Sequence, residues 1–558
     1  MKNFVKYLLI SSVLTVGMTG CSLQEEPYSL TAEKLATTNE GAEQLVTGIY
    51  ATFWDHWCMQ QTYMAWMDYD HDHCGGPSWV LSSAGSGDIT SHFAYNTMND
   101  LWNTFYCMIN RSNKAREALE MNDAYQNESA TMQLYGETLF MRAFAYFHLV
   151  RMYGPVPLRL TSDSGNDCPR SSVAQVYDQI TSDLETSLNY LRFPSDGGVG
   201  AWGHAEKTAA MILLARVYNT MGSIALTHSG VQMIVDIKGE NHTYTCSPVD
   251  GASEIDAEKC YRRSKELCDE VISRRGVDFD MMPGFRYIWG TNNSRNKEFV
   301  WGAASNGADP TYCTSGLNNY FTPAPFGGSG CWIYMSHNCY NLYEEDDDRI
   351  VDGVFHYYLQ NYNKGQKWVS YPSKSERYNA ENLPAEFKAH AEGFNDSYTK
   401  AVPCMTKHYL GDITKPSLYN QKLDGKTNQD VILIRFAEAY LLRAEAEVEI
   451  GSISSAMADL DVIRSRAGAS TYSGKVNDKT EARSLVLKER ALEFAMEFNR
   501  KFDLLRWGLY LDVMNDTQSI DCAGTLRSMV RTKKNLLYAI PSSEVAANKL
   551  LGGNNYGY

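Results

Sequence analysis

The sequence predicts a mainly α protein, a scaffold of antiparallel helix pairs of the tetratricopeptide type carrying long loop insertions and a few short strands. Three observations lead there. Apolar residues recur with a period near 3.6 over several long segments. Small residues stand at matched distances on either side of a glycine that separates two such segments. Between about residues 277 and 430 the texture changes to Gly, Asn, Tyr and Trp with few helical periods. A chain of 558 residues is too long for one ordinary core, and a repeat scaffold accommodates the length. Its 44% hydrophobic content, with 36 Tyr and 11 Trp, supplies core material and many rings that are apolar in body and polar at the tip. With 51 basic against 66 acidic residues the net charge is −15, which excludes a nucleic-acid partner because phosphates need a basic face.

The first element is MKNFVKYLLISSVLTVGMTGC, with Lys2 and Lys6, an apolar run from Tyr7 to Val16 and small residues before Cys21. It reads as a secretory signal over residues 1–20. MTGC resembles the lipobox of bacterial lipoproteins, with Thr19 and Gly20 at its small positions, so Cys21 is expected to be the acylated first residue of the mature chain. No later stretch reaches the roughly 18 unbroken apolar residues of a membrane span, and lipid would be the only anchor. SLQEEP then forms a polar, acidic tether. Of 13 cysteines, those beyond Cys21 show neither CxxC pairs nor zinc-ribbon spacing, so structural zinc is not expected. Disulfide pairing stays open.

MDYDHDHCGG, Met67 to Gly76, follows the first helix. Asp68, Asp70 and Asp72 alternate with Tyr69, His71 and His73, so an extended chain would send acids one way and rings the other. Three readings stand: a hydrogen-bonded structural loop, a ligand-contacting loop through Asp70 and His71, and a metal site in which calcium would be the structural ion. Further metal ligands are not evident, and no metal or cofactor is assigned.

GETLFMRAFAYFHLVRMYG and SVAQVYDQITSDLETSLNYL form a first candidate helix pair. GVGAWG, Gly198 to Gly203, formally matches GxGxxG, yet it follows a turn instead of a strand and reads as a loop preceding a helix. LLARVYNTMG, with Leu214, Ala215, Tyr218 and Gly222, pairs with CYRRSKELCDEVISRRG across an insertion from about Ser223 to Asp256. In the loop-rich region EFVWGAAS reads as a strand. EEDDDR, Glu344 to Arg349, could imitate catalytic carboxylates, but adjacent acids repel and read more simply as a solvated face. ILIRFAEAYLLRAEAEVEI lines Ile434, Ala437, Leu441, Ala444 and Val448 on one face and stops at Gly451, and ISSAMADLDVIRSRAG does the same with Ala456, Leu460, Ile463 and Ala467. The organisation expected is a helical region over 21–276, a loop-rich ligand-facing region over 277–430 and a helical region over 431–558, the last two forming one unit with the scaffold. HExxH, GxSxG and P-loop motifs are absent from the sequence.

Several stretches resemble the SusD/RagB-like outer-membrane lipoproteins of Bacteroidetes. RAFAYFHLVRMYGPVPL is similar to that family's Arg-Ala helix ending in Tyr-Gly-x-x-Pro-Leu, LWNTFYCMINRSN to its Trp-to-Asn helix, and IRFAEAYLLRAEA to its Arg-Tyr-Ala-Glu segment. ERALEFAMEFNRKFDLLRWG resembles the C-terminal signature, with Phe498 where Gly is usual. AIPSSEVAANKLLGGNNYGY resembles the terminal Ile-Pro and Gln-Asn-x-Gly-Tyr stretch, with Asn554 replacing Gln. The resemblance implies a SusD-like fold and a non-catalytic surface binder. Such a protein captures a glycan, or sometimes a peptide, and delivers it to a TonB-dependent transporter of the SusC type. SLQEEP is similar to the family's surface-export signal, which implies surface exposure on the outer membrane. Arg142, Arg435, Arg500, Asp503 and Arg506 sit beside apolar residues within the motifs and read as ion pairs that fix helix packing.

Sugar binding needs flat aromatic faces against C–H surfaces, flanked by amides and carboxylates for the hydroxyls. Trp79, and Tyr320, Phe321, Phe326, Trp332 and Tyr334 in LNNYFTPAPFGGSGCWIYMS, lie on Gly- and Pro-interrupted stretches, with Asn318 and Asn319 as nearby amides. Together they form the expected glycan face, while Trp102 and Trp507, at helical spacing, belong to the core. Two competing functions are a peptide-capturing lipoprotein of the same family, which the acidic charge favours, and an extracellular glycoside hydrolase using a carboxylate pair.

Overall fold

The computed structural model describes residues 31–77, 92–122, 127–198, 202–289, 295–305, 315–323, 331–362, 365–373, 375–379, 381, 401–409, 429–520, 526–528 and 530–558. Ten helices carry the architecture: α1 (Asn39–Tyr50), α2 (His92–Glu120), α3 (Ser129–Tyr153), α4 (Val173–Ser187), α5 (Lys207–Leu226), α6 (Ala257–Ser273), α7 (Ala437–Glu449), α8 (Ile453–Arg466), α9 (Lys479–Glu493) and α10 (Arg500–Arg506). From α2 to α9 each helix packs on its predecessor in the chain, even across the long gap between α6 and α7. That nearest-neighbour stacking is the solenoid logic expected of helix pairs. The mainly α fold with a few short strands is the one observed.

α3 is the spine. Every residue from Gln133 to Val150 is buried, so this helix is enclosed all round and its polar groups must find partners inside. Arg142 donates Nε and Nη2 to Asp183 of α4 at 2.8 and 2.6 Å, and Glu137 accepts from Tyr50 of α1 at 2.6 Å. Local signals set the helix starts. Ser172 and Gln175 form a capping box at α4, and Asp256 and Asp478 cap α6 and α9. Gly451, at φ 93°, closes α7 in a conformation that favours glycine.

Two sequence expectations change. VILIR, read as the start of a helix, is a strand, and α7 begins only at Ala437. Three β-branched positions in five favour extended backbone, and the segment pairs antiparallel with the strand read in EFVWGAAS, Phe299–Ala303. Gly222 does not end its helix, since α5 runs on to Leu226. A Cβ there would lie 2.6 Å from the Tyr261 ring, so this glycine permits the close α5–α6 approach. α5 is long and apolar enough to cross a membrane, yet it is buried among its neighbouring helices.

Most buried residues, from Ala36 to Leu551, form one continuous cluster. A small satellite cluster lies in the loop-rich region around Tyr334, Phe355, Tyr358, Tyr371 and the Cys331–Cys404 disulfide.

Candidate functional site

The stretch MDYDHDHCGG lies inside the molecule. Asp68, Asp70, His71 and Asp72 are all at most 5% exposed. Cys74–Gly75 pairs antiparallel with Tyr334–Met335, and Gly75 has no side chain because the Tyr334 ring occupies that space, 2.2 Å from where a Cβ would stand. The backbone amide of Ser336 donates to His73 O at 2.8 Å. Two stretches singled out separately in the sequence are thus stitched together.

Each acid in the stretch faces a different partner from the C-terminal signature. Asp72 accepts two bonds from Arg500, at 2.9 and 2.7 Å. Asp70 accepts from Lys501 at 2.7 Å, Tyr510 at 2.6 Å and Arg531 at 2.6 Å. Asp68 accepts from the backbone N of Phe498 at 3.1 Å. Burial alone would raise the Asp70 and Asp72 carboxyls, but Arg531 and Lys501 beside the first and Arg500 beside the second hold both below the usual range. Burial, helped by Arg500, pushes His73 down to about 3, so its ring is neutral.

This geometry removes Asp70 and His71 from the ligand face, because they are buried and Asp70 is saturated with cationic donors. It also runs against the calcium alternative. The three carboxylates point to three different partners, and among the described residues three or more metal-type ligands do not converge at one place. Phe498 explains its own departure from glycine: its φ of 68° is the left-handed region, and the bulky side chain is kept there by packing on Tyr63 at 5.5 Å while Asp68 binds its amide.

Of the candidates in LNNYFTPAPFGGSGCWIYMS, Tyr334 is 1% exposed and donates to Gly76 O at 3.3 Å, and Phe321 and the amide Asn318 are fully buried. They support the surface from beneath and are not ligand contacts. Tyr320 is also buried, and its ring backs Trp332, centroid to centroid 5.1 Å. Trp332 and Asn319 are partly exposed. Cys21, Trp79 and Phe326 lie outside the described residues.

Two further partly exposed aromatics, which the sequence reading passed over, lie in the loop-rich region. The hairpin Tyr357–Tyr362 with Gly365–Ser370 carries Trp368, and Trp368 and Tyr340 pack partly exposed on the satellite cluster. Tyr340 packs edge-on to Tyr371 at 5.0 Å, and His337 Nδ1 lies 2.7 Å from the Tyr371 hydroxyl. Burial lowers the His337 pKa and raises that of Tyr371, so the pair stays neutral. YYLQNYNKGQKWVS alternates and contains a turn-forming Asn-Lys-Gly, a legible hairpin signal. Partly exposed rings such as Tyr340 and Trp368, held on the disulfide-bearing cluster, and Trp332, backed by Tyr320, have the chemistry to stack on a sugar.

EEDDDR meets its solvated reading at Glu344, Glu345 and Asp346, which are exposed, and departs from it at its end. Asp347 and Arg349 are 1% and 0% exposed, because Arg349 binds Asp347 at 2.7 Å and Glu489 of α9 at 2.6 Å. Arg435 binds Glu298 at 2.6 Å, Glu493 at 2.9 Å and Glu497 at 2.7 Å. Arg506 binds Glu445 of α7 through two bonds of 2.6 Å. The arginines of the recognised motifs are internal ties. Trp102 and Trp507 are core residues, each 1% exposed.

Comparison with known proteins decides the family. Residues 23–219 match the family profile described as "Starch-binding associating with outer membrane", and residues 297–558 match the SusD family profile. The chain belongs to the SusD family. A relative from Formosa agariphila, SusD-like protein P25, is 23% identical over 441 residues, 76% of this chain and 72% of its own. A SusD homolog from Bacteroides thetaiotaomicron shares the fold with a TM-score of 0.71 at 18% identity, covering 94% of this chain and 98% of its own. Surface glycan-binding protein A from Bacteroides fluxus has a TM-score of 0.66 at 17% identity, covering 93% and 100%. Against this SusD background the partly exposed rings Trp332, Tyr340 and Trp368 are the candidate ligand contacts.

Proposed function

We propose that this SusD-family protein is a non-catalytic, lipid-anchored binder on the outer face of the outer membrane. It captures an oligo- or polysaccharide and delivers it to a SusC-type TonB-dependent transporter. The observation that carries the reading is that both halves of the chain match the family while Trp332, Tyr340, Trp368 and Asn319 of the loop-rich region are partly exposed. The hydrolase alternative draws little support from the described carboxylates considered for it: Asp347 is buried against Arg349, and Glu344 binds the Ser470 amide at 2.9 Å. Peptide capture keeps one supporting observation, the net charge of −15, which suits cationic peptides.

Incubation of the mature protein with a panel of glycans and basic peptides tests the reading. Retained glycan with no new reducing ends is expected. Release of reducing ends would overturn the non-catalytic reading, and retention of peptides alone would replace glycan by peptide.

A further inference from the structure

A cavity of about 550 Å³ lies where α3, α4 and α5 meet α10 and the C-terminal segment, away from the aromatic surface described above. Its walls are mainly apolar, with Val173, Ile224, Phe502, Leu505, Leu536 and Leu537 among them. Such a volume and lining suit a small organic ligand. Four arginines line the same space: Arg151, Arg216, Arg490 and Arg506.

Two of them are neutralised from behind. Arg216 donates Nε to Glu438 at 2.7 Å, and Arg506 holds Glu445 in a two-bond pair. The other two are held less fully. Among the described residues the one carboxylate that Arg490 reaches is Asp503, at 3.3 Å, and Asp503 is shared with Arg506 at 2.9 Å. Arg490 is 3% exposed, and its Nη1 is buried with no hydrogen-bond partner among the described residues. Arg151 makes no ion pair among the described residues. Its guanidinium sits between the rings of Phe147 and Phe502, at 4.1 and 4.3 Å, and its Nε donates to Phe147 O at 3.3 Å. Burial lowers its pKa to about 10, which leaves it a cation at neutral pH. Asn219, 1% exposed, adds an Oδ1 without a partner among the described residues to the same lining. Exposed Lys533 and Tyr556 contribute to the lining too, so the cavity reaches the surface.

A buried donor left without an acceptor is costly, and a cation without an ion-pair partner attracts an anion. Here the first is Arg490 Nη1 and the second is the partly exposed Arg151, and both line one apolar space. We propose that the cavity binds a carboxylate with an apolar body, an acyl or aryl acid, whose carboxylate is held by Arg151 and Arg490 while its apolar part fills the space beside Phe502, Ile224 and Leu537. This site does not rest on glycan capture.

Calorimetric titration of the mature full-length protein tests the proposal, with decanoate as the anionic probe and 1-decanol as its neutral counterpart. Saturable decanoate binding is expected, about ten- to a hundredfold tighter than 1-decanol, the ratio a charge-assisted hydrogen-bond pair supplies. Arg151→Met should lose a similar factor for decanoate alone, and Arg151→Lys should recover part of it. Absence of saturable decanoate binding would overturn the site. Equal affinity for the two probes would reduce it to an apolar hole, and unchanged decanoate affinity in a folded Arg151→Met would remove the arginine from it. Should Arg151→Met fail to fold, the ratio between the two probes on the unaltered protein still decides.

Discussion

Trp332 and Asp72 mark the two ways a residue of this protein meets its surroundings. Trp332 is partly exposed and backed by Tyr320, so removing its ring takes away a stacking face while leaving the core beneath intact. Trp332→Ala is expected to weaken glycan binding by about 1 to 3 kcal/mol, roughly ten- to a hundredfold, with little change in melting temperature. Titration with whichever glycan the panel retains checks it, and early unfolding with normal residual binding would return the ring to the core. Trp79, outside the described residues, takes the same test. Asp72 is the opposite case, a buried carboxylate whose loss strands the Arg500 guanidinium, itself 6% exposed. Asp72→Ala is expected to destabilise the protein by about 3 to 5 kcal/mol in denaturant unfolding, and Asp72→Leu combined with Arg500→Leu by clearly less, because no charge is then left unpaired. At this scale the sequence was least legible. Alternating acids on one stretch look alike whether they face water, a metal ion or Arg500, Lys501 and Arg531, and the deciding partners lie more than four hundred residues away in the chain. Aromatics on glycine-punctuated stretches carry the same ambiguity: Tyr334 went to the core and Trp332 toward the surface from one short segment.

Elements were more legible, because helical periodicity is a property of a dozen neighbouring residues and needs no distant partner. α3, α4, α6, α7 and α8 arise from the segments whose apolar spacing announced them, and the strand in EFVWGAAS from its β-rich composition. VILIR failed because its apolar residues also fit the helical period of the segment that follows, and only pairing with Phe299–Ala303 decides for a strand. The helix contacts carry a titration of their own. Glu447 of α7 is buried near Asp459 of α8 and Asp269 of α6, with Arg443 and Lys265 as the opposing cations, and its Oε2 has no hydrogen-bond partner among the described residues. Burial first, then Asp459, raises its pKa to about 7. The folded state therefore keeps a proton that the unfolded chain releases at lower pH, so this group's contribution falls as pH rises from about 4.5 to about 7. Glu447→Gln is expected to stabilise the protein by about 1 to 3 kcal/mol at pH 8 and to change it little at pH 4, as measured by urea unfolding at both values. Equal effects at the two pH values would mean that the carboxyl titrates as an ordinary exposed group.

For the whole molecule, location and partnership follow from how the chain is held. The proposed function places a binding surface on a scaffold tied together by internal ion pairs such as Arg142–Asp183 and Arg506–Glu445, with one attachment to the membrane at Cys21. A binder tethered to the membrane gains from standing over a pore, because ligand released from it is then at high effective concentration for import. Two outcomes are expected. Cys21→Ala should release the protein from the outer membrane, since acyl chains would be its only durable anchorage, and fractionation of cells detects that directly. Isolation of the unaltered protein in mild detergent should bring with it a large TonB-dependent β-barrel. The two tests separate anchorage from partnership: a released Cys21→Ala variant that still captures glycan and still binds the purified barrel would show that lipid supplies location alone. If the unaltered protein is retained at the membrane yet isolates without any barrel, the transporter half of the proposed function falls, while glycan capture at the Trp332 surface stands on its own assay.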